Sequence, residues 1–375
     1  MKILINAISA KQGGIVTYTT NLAQAFHRRG VDFRIAVPAN LADLPNAIVL
    51  PADRYGPLPR FAWEQTVWRH HVGRWKPDVL FSSANYALLA SPVRQVLLVR
   101  EGGLFDPFYM SMLAPEQGVQ AALIRSLRRK LILVSIAQST RTVVPSDTLL
   151  DQLRAYAPGV ARKCRVVRYG TLLNDFRPLM RRPWRGDSIL KILYVSVYYP
   201  HKVPADLVLA AEQLSAEGIP CRIRLTMNES QIAATSGSQW DLFHIRRGIA
   251  KGLVEMGPIG YDALPAAYAD HDVFAFPSIH ETFGHPMAEA LAAQIPTVAA
   301  GTAINREVLG DCALYHAPLR PGEIAAAIRR LDASPAERDR LRGQGRRRAE
   351  TMFDWETHVD RLLEEFASVL RAPPT

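Results

Sequence analysis

Cysteine is scarce in this chain, and so are the patterns that depend on it. The 375 residues include three cysteines, Cys164, Cys221 and Cys312, which lie far apart and form no C-x-x-C pair. This number and spacing exclude a disulfide framework and a zinc ribbon. We expect all three to be reduced core residues in a reducing compartment.

The sequence also has no long apolar run. None approaches the roughly 18 residues that a membrane-spanning helix requires. Residues 1–9 run directly into a strand-like pattern, without the apolar core and cleavage site of a signal peptide. We therefore expect a cytoplasmic protein without a membrane span. Hydrophobic residues make up 48% of the chain and charged residues 21%, which excludes a disordered protein, and the length favours two α/β domains.

Acidic residues are few in the first half. Residues 1–187 hold 26 Lys and Arg against 12 Asp and Glu, a net charge of +14, whereas residues 188–375 hold 19 against 23, a net charge of −4. This asymmetry predicts an anionic partner for the first half, either a membrane surface or nucleic acid, or else a solvated basic surface. No helix-turn-helix, RNA-binding aromatic motif or zinc finger supports nucleic acid, so we expect none.

One stretch, residues 272–300, organises the rest of the sequence. Residues 273–276 and 297–300 are short apolar runs of strand-forming residues. Between them, Pro286 suits the first turn of a helix, where its missing N–H costs nothing. The stretch therefore predicts a strand, a loop, a helix and a second strand.

The loop and the helix each carry a carboxylate, Glu281 and Glu289, with seven residues between them. The N–H groups of Phe283, Gly284 and His285 would point out of the helix N-terminus, where the helix dipole favours an anion. Gly284 has no side chain to obstruct a phosphate. A pyrophosphate held there would leave Glu281 near the group at its far end, and Glu289 could accept hydrogen bonds from ribose. Alternatively, Glu281 is an ordinary loop charge and Glu289 only complements the dipole.

This stretch, with its Glu-x-Phe-Gly core at Glu281–Gly284 and the Pro, Glu and Ala that follow, resembles the E-x7-E signature of retaining glycosyltransferases of family four (group 1). The resemblance covers nearly the whole chain. It implies the GT-B fold, an α/β architecture of two Rossmann-like domains facing across a cleft. The C-terminal domain would hold the nucleotide-sugar donor and the N-terminal domain the acceptor. The predicted donor-binding loop comprises Glu281, Thr282, Phe283, Gly284 and His285.

The start of the chain fits a Rossmann-like unit. A strand at 2–6, the residues Gln12-Gly13-Gly14 and an amphipathic helix at 16–29 lead to a strand at 33–37. There is no G-x-G-x-x-G, so the pattern is not a dinucleotide fingerprint. The resemblance implies that Gly13 and Gly14 contact the donor phosphates or the acceptor. The alternative is a tight turn of the kind that any such unit needs.

Two charged residues follow a strand predicted at 95–99. Relatives often have a His near this point that is directed at the donor sugar, whereas this chain has Arg100 and Glu101. Either of them substitutes for that His, or the acceptor differs, or the two residues only form a charged loop.

The second half begins with a strand predicted at 190–197 and a helix at 204–216. In relatives, the loop between these elements places an Arg and then a Lys on the donor diphosphate. Lys202 matches the Lys, whereas Val197 stands at the Arg position and leaves one positive charge missing. The alternative for Lys202 is a solvated surface charge. Residues 174–188 are polar and basic and contain proline, which is typical of a linker.

These patterns predict three segments of the chain. Residues 1–175 form the N-terminal acceptor-binding domain, and residues 188–353 form the C-terminal nucleotide-sugar-binding domain. The resemblance implies that a final helix within residues 354–375 crosses back to the N-terminal domain.

A long helix is predicted over residues 116–140. Its apolar stripe has four members: Leu123, Leu127, Leu131 and Val134. Four cations lie beside the stripe: Arg125, Arg128, Arg129 and Lys130. A basic amphipathic helix of this kind lies either on an anionic bilayer or against its own sheet. We carry both interpretations, the first of which makes the protein peripheral at the inner membrane face.

The residues and the resemblance together predict a retaining hexosyltransferase. It moves a sugar from a nucleotide-sugar to a glycan or lipid-linked acceptor in cell-surface polysaccharide synthesis, and its predicted catalytic residues are Glu281, Lys202, Arg100 and Glu101. No D-x-D pair stands in a convincing place at a strand end, so we expect no metal and no resident cofactor. The alternative is another nucleotide-sugar enzyme on the same fold, such as an epimerase or a phosphorylase. The base, the sugar, the acceptor and the linkage stay open, because a few cleft side chains decide them.

Overall fold

The computed structural model describes residues 1–11, 13–112, 118–178 and 180–371, and the chain forms two compact units. Among the described residues, the first unit consists of Met1–Phe105, Ala121–Arg168 and the chain from Glu356 onward. The second consists of Tyr169–Trp355 and the described part of Asp106–Gln120. Within these ranges, no helix combines the length and apolarity that crossing a bilayer takes.

The first unit is built on a parallel sheet of seven strands. They are β1 (Ile3–Asn6), β2 (Phe33–Val37), β3 (Ala47–Val49), β4 (Val79–Ser82), β5 (Arg94–Leu98), β6 (Arg141–Val144) and β7 (Cys164–Val166). Their order is β3-β2-β1-β4-β5-β6-β7, with every neighbouring pair parallel. The strand order therefore reverses between β1 and β4, which is where open α/β sheets bind ligands.

The second unit is built on a parallel sheet of six strands. They are β8 (Leu190–Tyr194), β9 (Cys221–Leu225), β10 (Val254–Met256), β11 (Val273–Phe276), β12 (Thr297–Ala300) and β13 (Leu314–His316). Their order is β10-β9-β8-β11-β12-β13, again with parallel neighbours. Here the strand order reverses between β8 and β11.

Helices cover both sheets. The helices of residues 14–161 are α1 (Gly14–Arg28), α2 (Pro57–Trp63), α3 (Arg69–Trp75), α4 (Pro107–Met112), α5 (Gly118–Gln138), α6 (Asp147–Tyr156) and α7 (Pro158–Ala161). Those of residues 204–371 are α8 (Pro204–Ala216), α9 (Glu229–Ala233), α10 (Gln239–Ala250), α11 (Leu264–Asp270), α12 (His285–Ala292), α13 (Ala303–Leu309), α14 (Pro321–Ala333), α15 (Pro335–Met352) and α16 (Trp355–Arg371). The central strands β1, β4, β11 and β12 are buried at every position and are largely apolar, because parallel strands are covered on both faces.

The final helix belongs mostly to the first unit. Phe366 of α16 packs against Phe81 of β4, with ring centroids 5.2 Å apart. His358 is buried, and its Nδ1 lies 2.7 Å from the carbonyl oxygen of Arg168. Burial lowers the pKa of His358 to about 4, so the ring is neutral at physiological pH and donates from Nδ1.

Most predicted elements lie within two or three residues of their observed bounds. The strand predicted at 190–197 is shorter and ends at Tyr194. Beyond it, the N–H of Ser196 donates to the hydroxyl of Thr226 at 2.9 Å, and that hydroxyl donates back to the Ser196 carbonyl at 3.1 Å. A side chain thus replaces the neighbouring strand, and the ladder stops.

The segment predicted as a linker is attached to the second unit. In residues 180–188, Arg182 pairs with the buried Asp272 at 2.6 Å, and Arg185 pairs with Asp332 at 3.1 Å. Arg182 and Arg185, whose composition suggests a linker, therefore attach this segment to the second unit through ion pairs. The unit bounds accordingly differ from the predicted domains: residues 169–187 group with the second unit, as do the described residues of 106–120.

Candidate functional site

The predicted site of the second unit forms at the switch point between β8 and β11. These strands are neighbours, with Leu193 of β8 opposite Phe274 of β11. Because they are parallel, the loops that follow them leave the sheet at the same edge. The loop after β8 carries Lys202, and the loop after β11 carries Glu281.

Lys202 and Glu281, predicted separately, form an ion pair between Nζ and Oε1. Their side chains are only 9% and 11% exposed, so little water screens either charge. A buried charge is costly when it is unpaired, so the pairing offsets part of the cost of burying both groups. The backbone also holds Lys202 in place, because the Tyr194 hydroxyl donates to its carbonyl oxygen at 2.8 Å.

The residue after Lys202 adopts a rare conformation. Val203 has φ 39° and ψ 53°, in the left-handed region, and it caps the N-terminus of α8. A β-branched residue is strained there by about 1–3 kcal/mol, a cost that proteins concentrate at functional turns. This strained turn sets the direction of the chain at Lys202.

The glycine of the donor loop is required by the backbone. Gly284 caps α12 with φ 81° and ψ 67°. A Cβ atom at this position would lie 2.5 Å from Cε of Met287. Any other residue would therefore strain the turn and displace a core side chain. The helix begins at His285, so Pro286 lies in its first turn as predicted.

Two residues of the predicted donor loop act as packing groups. Phe283 is buried against Tyr169 and Phe353, with ring centroids 5.4 Å apart in both contacts. His285 stacks on Tyr169 at 4.9 Å. These aromatic contacts hold the loop at two positions, on either side of Gly284.

Glu289 is buried in α12. The Tyr268 hydroxyl donates to its Oε2 at 3.1 Å. Burial raises the pKa of Glu289 to about 7, although the hydrogen bond from Tyr268 acts in the opposite direction. The carboxyl group therefore changes protonation near neutral pH. Its predicted contact with ribose stays a prediction.

The structure adds two histidines that the sequence interpretation passed over. His201 precedes Lys202 and His280 precedes Glu281, and their rings lie 5.6 Å apart. Burial and the charge of Lys202 lower the pKa of His201 well below its usual value, so this ring stays neutral. The sequence does carry one signal for these histidines, since each immediately precedes a predicted site residue.

A third addition comes from α4. Asp106 contacts Nδ1 of His280 at 2.7 Å, and the Tyr109 ring lies 4.9 Å from that of His280. The dipeptide Asp106-Pro107 does predict a helix start. Nothing in the sequence assigns that helix to the second unit.

In the first unit, the glycine loop follows β1 at the other switch point. Gly13 caps α1 with φ 73° and ψ −161°, a conformation that few other residues adopt. Gly14 is the first residue of the helix. A Cβ atom on Gly13 would meet no atom within 4 Å, so the glycine serves the turn and leaves open space beside it.

Arg100 and Glu101 follow β5, one strand away from that switch point. Glu101 pairs with Arg128 of α5 at 2.6 Å, in a partly exposed position. The backbone N–H of Arg100 donates to Oδ1 of Asn85 at 2.8 Å. These contacts hold the loop in shape, and the catalytic role predicted for both residues stays a prediction.

Two family models match the chain. "Glycosyltransferase Family 4" matches residues 12–171, and "Glycosyl transferases group 1" matches residues 186–348. Among curated relatives, the D-inositol 3-phosphate glycosyltransferase of Geodermatophilus obscurus is 29% identical over 62% of this chain and 53% of its own length. The alignment thus spans about half the length of that relative.

Solved structures share the fold. Sucrose-phosphate synthase from Thermosynechococcus elongatus has a TM-score of 0.79 and 18% identity, covering 99% of this chain and 100% of that one. Anabaena HepE in complex with UDP-glucose has a TM-score of 0.75 and 18% identity, covering 98% and 100%. The fold is GT-B, as the E-x7-E resemblance implies, and the chain belongs to the group 1 glycosyltransferases of family 4.

Proposed function

We propose that this chain transfers a sugar from a nucleotide-sugar to a hydroxyl of a glycan or lipid-linked acceptor, with retention of configuration at the anomeric carbon. The observation that carries the proposal is the buried Lys202–Glu281 ion pair at the switch point of the second sheet. A group 1 family match on the same unit supports it. Cell-surface polysaccharide synthesis is the biological setting that fits a glycan acceptor.

The chemistry of these groups suits a sugar diphosphate. The N-terminus of α12 offers backbone N–H groups and a positive dipole end to an anion. An ammonium group has three N–H donors, so Lys202 can keep its bond to Glu281 and still bind a diphosphate oxygen. Glu281 then lies where the sugar is attached.

The bond between the anomeric carbon and the diphosphate oxygen breaks, and its electron pair stays on the diphosphate. The acceptor oxygen forms the new bond on the same face of the sugar, and its proton passes to the departing diphosphate oxygen. Lys202 stabilises the negative charge that develops on the leaving group, and Glu281 stabilises the positive charge that develops on the sugar ring.

The reaction as proposed needs no metal ion. Across the ranges that the structure describes, no three His, Cys, Asp or Glu side chains are grouped to hold one. Lys202 and the α12 N-terminus supply the positive charge that a metal supplies in other transferases.

The test is a donor panel of GDP-mannose, UDP-glucose, UDP-N-acetylglucosamine and dTDP-rhamnose, scored for nucleoside diphosphate release with and without a glycan mixture. We expect one donor to be turned over, and we expect the acceptor to stimulate release of its nucleoside diphosphate. The anomeric carbon of the product should have the same configuration, axial or equatorial, as that of the donor. Epimerised nucleotide-sugar without release would favour the epimerase alternative, and phosphate-dependent release would favour a phosphorylase. No change in any donor would refute the proposal.

A second candidate concerns an acceptor presented on a membrane, and it depends on α5. Leu123 is 67% exposed and Leu127 is 44% exposed, so the core-facing interpretation of these two residues is wrong. Ile124 is exposed beside them. The first unit holds 24 Lys and Arg against 12 Asp and Glu, a net charge of +12, and the second holds 21 against 23, a net charge of −2. An apolar ridge on a basic unit fits an anionic bilayer.

The cations nearest the ridge are less available than the sequence suggested. Arg128 is bound to Glu101, and Arg129 donates to the Tyr156 hydroxyl at 2.9 Å and covers its ring. Lys130 is exposed. The attraction is therefore weak and reversible, and it is screened within about 10 Å at 0.1 M salt.

Vesicle flotation tests this candidate. We expect flotation with vesicles containing phosphatidylglycerol, a loss as salt rises, and a loss in the double variant L123S/L127S. Phe243→Ser, which changes an exposed aromatic residue of the second unit, is the matched control and should float as the parent does. Equal flotation with neutral vesicles, or none at all, would leave a soluble acceptor.

A further inference from the structure

Asp106 uses its two carboxylate oxygens for different tasks. Oδ1 accepts the backbone N–H groups of Phe108 at 2.9 Å and Tyr109 at 3.3 Å, which makes Asp106 the cap of α4. Oδ2 lies 2.7 Å from Nδ1 of His280. Burial would raise the pKa of Asp106, but the bond to His280 and these two caps outweigh burial and lower it, so the carboxylate is charged at neutral pH.

Three aromatic rings meet beside this contact. The Tyr109 ring lies 4.9 Å from that of His280 and 5.6 Å from that of His201. The two histidine rings are 5.6 Å apart, nearly at right angles. Edge-to-face contacts of this kind favour one relative orientation over others.

The backbones of the same two loops are joined as well. The N–H of Ile279 donates to the carbonyl oxygen of His201 at 3.0 Å. Within the loop after β11, the Ser278 side chain also donates to the carbonyl oxygen of His280 at 3.0 Å, which ties His280 to the residues joined to His201. A displacement of His280 would therefore move the neighbouring Glu281 relative to Lys202, which follows His201.

We propose that Asp106 is a positioning residue for the transfer reaction: it holds His280, and through His280 it sets the place of Glu281 opposite Lys202. The inference rests on the function proposed above for that ion pair. It also gives α4, a segment from the first third of the sequence, a supporting role for the ion pair of the second unit. Asp106 itself touches neither sugar nor diphosphate in this account.

Two substitutions separate positioning from helix capping. Asp106→Ser keeps a good helix cap but is too short to reach His280, whereas Asp106→Asn keeps both the cap and the length. A misplacement of a catalytic group by about 1 Å costs up to about a hundredfold in rate, so we expect D106S to lower kcat by about tenfold. We expect D106N to stay within about threefold of the parent and both variants to keep the parent's melting temperature and donor KM.

The deciding measurement is a double-mutant cycle, read as nucleoside diphosphate release from the donor that the panel identifies. If Asp106 acts through Glu281, D106S should cause no further loss of kcat in the E281Q background. Independent, multiplicative losses would overturn the inference, and so would parent-like turnover of D106S beside a collapsed E281Q. Parent-like turnover of E281Q would overturn the proposed function of the ion pair, and the inference with it.

Discussion

The two units share an architecture and differ in what their switch points hold. In the second unit, the loops after β8 and β11 bring Lys202 and Glu281 into a buried ion pair. In the first unit, the switch point carries Gly13, whereas the charged residues singled out by the sequence lie one strand away and Glu101 is bound to Arg128. The second unit therefore has a buried charge pair at its switch point, whereas the first unit has a glycine there and its predicted charged residues lie elsewhere.

This difference follows from what each side is proposed to bind. A nucleoside diphosphate is common to many donors, so a fixed and desolvated charge pair suits it, because electrostatic interactions are strongest where water is excluded. Acceptors vary in shape, so an open glycine loop and exposed side chains suit them. The comparison predicts that substitutions in the second unit cost more than matched substitutions in the first.

The largest effect is expected for Glu281→Gln. The amide still accepts a hydrogen bond from Lys202, but it cannot stabilise positive charge on the sugar. One contact of this kind is worth about 3 kcal/mol, so kcat should fall by roughly a hundredfold or more with the fold intact. Glu255→Gln, which breaks an exposed ion pair with Arg222, is the matched control and should retain activity. Parent-like turnover of E281Q would reduce Glu281 to a loop charge.

A smaller effect, of a different kind, is expected for Glu289→Gln. The carboxylate form binds hydroxyl groups more strongly than an amide does, and it forms above the raised pKa of about 7. The donor KM of the parent should therefore fall as pH rises from 6 to 8, while that of E289Q stays flat and about tenfold higher at pH 8, with kcat unchanged. A collapse of kcat at constant KM would show that Glu289 does not serve ribose binding.

In the first unit, we expect Arg100→Ala to lower kcat/KM by about fivefold, since a partly exposed charged contact is worth about 1 kcal/mol. Glu101→Gln should lower it less than Arg100→Ala does, because the Glu101 carboxylate is already bound to Arg128. Steady-state kinetics at saturating donor with varied acceptor is the measurement. If E101Q were the more damaging of the two, Glu101 would leave Arg128 to contact substrate, and the contrast between the units would weaken.

The smallest expected effect is that of chelation. Turnover should be the same with and without EDTA, because Lys202 and the α12 N-terminus supply the positive charge for the leaving group. A loss in EDTA that Mg²⁺ or Mn²⁺ restores would show that the ion pair is not sufficient.

The sequence predicts the elements that carry Glu281 and Gly284 well because their signals are local. Gly284 and Pro286 mark a loop-to-helix turn, and the apolar run at 273–276 marks the strand before it. Lys202 is indicated by the family resemblance, which implies a Lys in the loop after the first strand of the second half. That Lys202 meets Glu281 follows only once β8 and β11 are known to be neighbours, which is a long-range property of the sheet.

Other features depend on contacts that no local pattern records. Asp106 looks like an ordinary helix cap, and its second oxygen reaches a histidine 174 positions away. On α5, the apolar spacing of Leu123 and Leu127 is the same whether the stripe faces a sheet or solvent, and the structure shows solvent. Composition also predicts a linker where residues 180–188 are attached to the second unit. Arginines that bind buried or partly buried carboxylates have the same composition as arginines of a solvated linker.

The assignment of Asp106 to the second unit bears on how such enzymes are recombined. Engineers who exchange donor specificity would join halves of two relatives within residues 174–188, where the composition is that of a linker. That junction leaves Asp106 and Tyr109 with one parent and His280 with the other. A junction placed after residue 185 also puts Arg182 and Arg185 in one parent and their partners, Asp272 and Asp332, in the other. A chimera that carries residues 106–112 and 169–355 from a single parent keeps these contacts of the second unit together, even though the unit is not contiguous in the sequence.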